Sequence, residues 1–354
     1  MPSNIREIRF LLTGLGNIGR TLLETLPPRA AAYEQRYGLR LRCVGLADSS
    51  GVAYDPAGFD MAAVAALKHA GGGVKALPQY DPTLGAAELA ASAEAELLLE
   101  ATPTNLRDGQ PGLDIVRAAL RSGKHAVLAS KGPLVLAYEE LAALSDLRGG
   151  PGAPALRFSG AVGGALPTIN LGRRDLAGAV IERAELVVNG TTQVILEEMA
   201  AGRSFDEALA LAQSQGIVEP DPSLDVDGWD AANKLVIFAN AVLGRPTRLA
   251  ELKVEGIRNV SAAQLQAAWE AGGRISVVGL AERRADGDYE LSVAPRTLGP
   301  DHPLARLSRG EMGLVIYSDI AGRTTMAVLE EGPLGTCQAM IRDTLEIFGQ
   351  GRAG

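Results

Sequence analysis

Two cysteines, Cys43 and Cys337, are all that 354 residues hold, which leaves no basis for a disulfide framework or a zinc site. A reducing, cytoplasmic setting is the expectation. Basic charge is also short. Lys and Arg number 34 against 42 Asp and Glu, a net charge of −8, and no run of lysine and arginine offers a local exception. Nucleic acid is thereby excluded as the principal partner. No stretch approaches the ~18 uninterrupted apolar residues of a membrane span. The opening MPSNIREIRFLLTG lacks the apolar core and cleavage site of an export signal, so neither membrane insertion nor secretion is expected. Internal repeats are missing as well. The remainder is 47% hydrophobic and 21% charged, the composition of a soluble globular chain with room for two domains.

The first chemistry-bearing stretch follows a short apolar run, Ile8 to Thr13. Gly14-Leu15-Gly16-Asn17-Ile18-Gly19 is G-x-G-x-x-G with a strand before it and a helical pattern, RTLLETL, after it. The first glycine permits a tight turn, the second lets backbone approach a pyrophosphate, and the third allows close helix–strand contact. A second strand, Leu41 to Ala47, ends at Asp48. An acidic residue there can accept the ribose hydroxyls of NAD or serve only as a strand-end turn residue. From Gly51 to Ala95 the pattern predicts an alanine-rich helical connection with turns. Two further strands, Glu96–Glu100 and His125–Ala129, carry Thr102-Pro103-Thr104-Asn105 and Ser130-Lys131 to the carboxyl rim of a parallel sheet, where ligands of such sheets bind. Lys131, placed after a buried strand and before Gly132-Pro133, does not read as a solvated-face lysine. The glycine/proline break Leu147–Pro154 marks the expected boundary between residues 1–150 and 151–333, with a last amphipathic helix at about 334–350 packing back on the first domain.

In the second half, a strand Ala184–Val188 leads into Asn189-Gly190-Thr191-Thr192, whose backbone N–H groups open a helix and suit a carboxylate. A helix capped by Ser204 and Glu207 and stopped by Gly216 delivers the segment GIVEPDPSLDVDGWDAANK. Pro220 and Pro222 keep the acidic part out of an interior helix or central strand. Asp227 is the expected N-cap, and a helix from about Trp229 puts Asp230 and Lys234 side by side at i and i+4. Read alone, that pair is equally a surface ion pair. A calcium loop fails, because the first-ligand slot is Ser223 and the bidentate-glutamate slot is Lys234. After Gly244 the runs LKVEGI, RISVVGLAE, YELSVAPR and GLVIYSD predict an open mixed or antiparallel sheet.

Taken in order, GLGNIG, EATPTN, LASKGPL, GAVGGALPTI, VVNGTTQVILEEM, GIVEPDPSLDVDGWDAANK, GIRNVS and DHPLARLSRGEMGLVIYSD resemble the motifs of homoserine dehydrogenases from about residue 8 to residue 348. The resemblance implies an α/β fold with an N-terminal Rossmann dinucleotide-binding domain and an α+β substrate and dimerisation domain. It also implies NADP or NAD as cofactor, a homodimer, and reduction of L-aspartate 4-semialdehyde to L-homoserine. By position, Lys234 matches the proton-handling lysine, Glu219 and Asp230 the residues that hold the substrate's amino end, and Lys131 the lysine that approaches substrate and cofactor. Gly190 and Thr191 fall to the substrate; Gly14, Gly16, Asn17, Ile18, Gly19, Asp48, Thr102, Pro103, Ser130 and Gly332 fall to the cofactor. Three departures stand out. Ser130-Lys131 replaces asparagine–lysine, and Gln193-Val194 replaces the usual asparagine–tyrosine pair. Ser159 occupies the position of a glutamate that in some members helps bind a monovalent cation, Na+ or K+, leaving the carbonyls of Val162, Gly164 and Leu166 as its donors. The chain is expected to be a short form without an ACT domain or a fused aspartokinase. Another small amino- or hydroxy-acid dehydrogenase, and a non-catalytic NAD(P)-binding sensor, are the alternatives. A thioester mechanism would need a cysteine at the sheet rim, and neither cysteine lies there.

Overall fold

A run of four or five apolar residues that is buried on both faces makes a parallel strand rather than an amphipathic one, and the first half of the chain is built from such runs. The structure is a computed structural model and describes residues 5–218, 221–330 and 332–349. It divides into two compact units, Met1–Ala165 with Glu331–Gly354, and Leu166–Glu330.

The first unit holds a seven-stranded sheet. Its strands are β1 (Arg6–Thr13), β2 (Leu39–Asp48), β3 (Gly51–Tyr54), β4 (Tyr80–Asp81), β5 (Leu97–Glu100), β6 (His125–Leu128) and β7 (Leu156–Arg157). They lie in the order β4-β3-β2-β1-β5-β6-β7. β1 pairs in parallel with both β2 and β5, so the strand order reverses beside it, which is the switch point where open α/β sheets bind ligands. Ile8, Phe10 and Leu12 of β1, Leu22 and Leu23 of helix Asn17–Thr25, and Cys337 and Met340 of the last helix share one core cluster. That last helix, Leu334–Phe348, buries Ala339, Met340, Asp343 and Thr344 among others.

Two expectations need correction here. The segment after Gly51 is not helical throughout: β3 and β4 add antiparallel strands at the sheet edge, alongside helices Met61–His69 and Ala86–Ser92. The expected boundary at residue 150 also falls too early. Beyond the glycine/proline break, Leu156 and Arg157 pair with Ala126 and Val127 of β6, and Ser159 N–H donates to Asp343 of the last helix at 2.8 Å. Strand pairing to Arg157 and the Ser159–Asp343 bond thus tie the chain beyond the break to the first unit, which runs through to Ala165.

The second unit holds a six-stranded sheet of β8 (Ile181–Val187), β9 (Lys253–Val254), β10 (Arg274–Arg283), β11 (Tyr289–Leu298), β12 (Met312–Ser318) and β13 (Gly322–Val328), ordered β13-β12-β8-β10-β11-β9. All neighbours are antiparallel except β9 and β11, which makes the sheet mixed. The strand β13 was not legible in the sequence: GRTTMAV alternates weakly and forms a half-exposed edge paired only with β12 among the described residues. Helices Gly190–Ala200 and Trp229–Phe238 lie against β10, where Gly279 leaves room for Leu235. Val187, Val278, Leu298, Leu304, Leu307 and Val315 form a further core cluster.

Candidate functional site

In the first unit, β1 delivers the glycine turn. Gly14 sits at φ +84°, and a Cβ there would stand 2.2 Å from Ala101 O, so only glycine allows the turn to lie this close to the end of β5. A Cβ at Gly19 would lie 2.0 Å from Gly14 O, which closes the helix onto the turn. A Cβ at Gly16, in contrast, meets nothing within 4 Å. Gly16 and Asn17 are exposed, Ile18 is half-buried, and Gly16 caps helix Asn17–Thr25 without a side-chain acceptor. Free N–H groups at a helix start, with open space in front of them, fit a pyrophosphate.

The ends of β5 and β6 are tied by a carboxyl group. Glu100 is fully buried; it accepts Thr102 N–H at 2.8 Å and the hydroxyls of both Thr102 and Ser130. Burial pushes its pKa up against the pull of the Ser130 and Thr102 donors. Thr102 and Ser130 therefore turn their hydroxyls inward, while Pro103 is exposed at the rim. Lys131 is half-buried, and its N–H donates to Thr104 Oγ1 at 3.4 Å. At the end of β2, Asp48 accepts from Ser50 and from Lys68 Nζ. Gly332, at φ +63°, opens the chain into the last helix. Of the cation candidates, Val162 is buried and Gly164 takes a positive φ of 56°. Leu166 O already accepts Thr168 N–H at 2.7 Å, so one of the three carbonyls is engaged. No group of three or more His, Cys, Asp or Glu that could hold a metal occurs among the described residues.

In the second unit, helix Trp229–Phe238 brings Asp230 and Lys234 together as its spacing requires, with Nζ 2.7 Å from Asp230 Oδ2. The side chains are only 12% and 16% exposed for Lys234 and Asp230, so this is no surface pair. Lys234 Nζ also donates to Val188 O at 2.5 Å, beyond the end of β8. Asn189 follows and joins the parts. Its Oδ1 accepts Thr192 N–H at 2.8 Å and so caps helix Gly190–Ala200, while its Nδ2 donates to Asp225 at 2.6 Å and to Asp230 at 2.9 Å. Gly190 and Thr191 are half-buried at that helix start. Glu219 lies outside the described residues.

One expectation is overturned. Asp227 does not cap the helix: Gly228 occupies the cap at φ +83°, with no side-chain bond. A residue in that left-handed conformation re-aims the chain, and Asp227 instead pairs with Arg258, Oδ1 to Nε 2.5 Å. Asp221 closes a local turn on Ser223 N–H at 3.0 Å. The residues that sequence reasoning did not single out are Asn189, Asp225 as its partner, and Glu100. An Asn directly before Gly-Thr-Thr at a strand end was the available signal for the first, through its capping preference.

The family model described as homoserine dehydrogenase matches residues 167–345. An NAD(+)-dependent homoserine dehydrogenase of Pseudomonas canavaninivorans is 33% identical over 342 residues, 96% of each chain. A homoserine dehydrogenase of Methanocaldococcus jannaschii is 31% identical over 341 residues, 96% of this chain and 98% of its own. Among solved structures, a hyperthermophilic archaeal homoserine dehydrogenase in complex with NADPH matches with a TM-score of 0.81 at 25% identity, over 97% of this chain and 98% of that one.

Proposed function

The chain belongs to the homoserine dehydrogenase family, and on that premise we propose that it interconverts L-aspartate 4-semialdehyde and L-homoserine with NADH or NADPH. The observation that carries this reading is the clamp at the end of β8, where one largely buried ammonium is held by a carboxylate and a carbonyl beside the N-terminus of helix Gly190–Ala200.

When bound, the nicotinamide supplies the hydride that reaches the aldehyde carbon. The chain's residues do the rest. As the carbonyl is reduced, negative charge develops on its oxygen; Lys234 Nζ stabilises that charge and gives the proton, and it takes the proton back in the oxidation of homoserine. Asp230 positions Lys234 and takes the substrate's ammonium, a role shared with Glu219 by its place in the sequence. The N–H groups of Gly190 and Thr191 take the substrate carboxylate at the positive end of their helix. Lys131 supplies a second positive charge toward substrate and cofactor. Gly14, Gly16, Asn17, Ile18 and Gly19 cradle the pyrophosphate, and Thr102, Pro103, Ser130 and Gly332 border the nicotinamide end.

Homoserine-dependent reduction of NAD and of NADP tests the activity. Lys234→Ala should lower kcat roughly a thousandfold while the chain still folds and NADH binding stays close to wild type. Near-normal turnover in that variant would sink the assignment of Lys234, and binding of both nucleotides without any homoserine-dependent reduction would point to a sensor. The two cysteines are free and buried, which supports a cytoplasmic setting. A homodimer completes the reading, with a sedimentation mass of twice 36.9 kDa as its expected outcome and a monomer as the result against it.

A further inference from the structure

The end of β2 carries an ion pair for which the reaction chemistry has no use. Asp48 closes the strand one residue after Ala47, which is in register with Thr13, and Gly14 N–H donates to Ala47 O at 2.9 Å. The end of β2 therefore lies beside the first glycine of the phosphate turn, and in open α/β sheets of this kind an acidic residue there meets the adenosine ribose of a dinucleotide. A free carboxylate at this place would accept the 2′ and 3′ hydroxyls and repel a 2′-phosphate.

Asp48 is not free. Its Oδ1 accepts Ser50 N–H at 2.8 Å and the Ser50 hydroxyl at 2.6 Å, and its Oδ2 accepts Lys68 Nζ at 2.6 Å. Val74 N–H adds a longer bond at 3.3 Å. Gly73 closes over this group: a Cβ there would stand 2.3 Å from Ser50 Oγ and 3.6 Å from Asp48 Oδ2. The Asp48 side chain is 6% exposed and that of Lys68 is 17% exposed. So the lone pairs that would serve the ribose are committed to the fold, the negative charge is matched by an ammonium on helix Met61–His69, and the more open partner is the cation. Ser49 and Lys75, both exposed, belong to the two segments this cluster joins.

We propose that the Asp48–Lys68 pair makes the adenosine end of the cofactor site electrically neutral, so that the chain accepts NADH and NADPH alike, and that use of the phosphorylated cofactor depends on Lys68. The inference rests on the dinucleotide site described above, not on the choice of substrate. Lys68 Nζ can share its protons between Asp48 and a 2′-phosphate in charge-assisted hydrogen bonds, and without it the phosphate meets an uncompensated carboxylate.

Equilibrium titration of NADH and NADPH against the full chain, read by nucleotide fluorescence, tests this without any turnover. The wild-type dissociation constants should lie within about tenfold of one another, and Lys68→Met should weaken NADPH at least about tenfold more than NADH. The double variant Asp48→Asn/Lys68→Met should recover part of the NADPH loss. Should Lys68→Met fail to fold, Lys68→Gln keeps a neutral donor to Asp48 and serves in its place. A wild-type preference beyond a hundredfold for either nucleotide, equal weakening of both by the Lys68 variant, or no recovery in the double variant would each overturn the proposal. If both nucleotides bind as stated while homoserine supports no reduction, the substrate assignment falls and the role of Lys68 stands.

Discussion

A carboxyl group taken fully out of water must either be met by donors or give up its charge. Glu100 and Asp343, both 0% exposed, meet this differently. Glu100 receives two hydroxyls and a backbone N–H from the rims of β5 and β6. Asp343 receives Ser159 N–H on Oδ2, while its Oδ1 finds no hydrogen-bond partner among the described residues. Burial, opposed by the Ser159 donors, pushes the Asp343 pKa up to about 6 from the ordinary 3.8. Because the folded value lies above the unfolded one, this carboxyl costs nothing below about pH 4. The cost grows as pH rises toward 6, and above that it levels off on the order of 3 kcal/mol. Asp343→Asn should therefore unfold at higher urea than wild type at pH 7.5, with the gap closing by pH 4. A gap that stays constant across that range would show that the charge is not its source.

The junction of β8 with helix Gly190–Ala200 depends on Asn189, which caps the helix with one side-chain atom and fixes Asp225 and Asp230 with the other. Asn189→Ala should cost about 1–2 kcal/mol of stability from the lost cap, together with activity. Asn189→Ser restores a cap acceptor without the clamp, so it should recover stability in urea titration while leaving kcat low. Equal recovery of both would reduce Asn189 to a cap. This element also shows where sequence reading stops. Asp230 and Lys234 were legible because helical spacing alone brings them together. Asn189 finds its partners 36 and 41 residues further on, and Glu100 finds Ser130 30 residues on, so no local pattern encodes either. Asp227 misled for the same reason: its local capping preference lost to Arg258, 31 residues away. Strands with long apolar runs were found, whereas β3, β4, β7 and β13 are short or half-exposed and carry little pattern. The last helix, long and two-faced, starts where it was read and ends at Phe348, two residues short of the expected end.

At the scale of the whole molecule, the first unit is assembled from two separated pieces of chain and the second from one continuous piece. The returning helix Leu334–Phe348 contributes Cys337, Met340, Ile341 and Phe348 to the core that also holds β1 and helix Asn17–Thr25. Removing those side chains strips one wall from the unit that carries the glycine turn. A chain cut after Glu330 should therefore lose NADH binding and the first unit's cooperative melting, while its second unit keeps its strand signature in circular dichroism. Retained NADH affinity would show that the helix is an accessory. The same arrangement sets an order of events on the ribosome. The nucleotide-binding core cannot close until the entire second unit has been synthesised, a wait on the order of ten seconds or more at 5–20 residues per second. A prematurely terminated product consequently exposes an open apolar face to chaperones and proteases and has no route to a half-finished dehydrogenase that would bind reducing equivalents without turning them over.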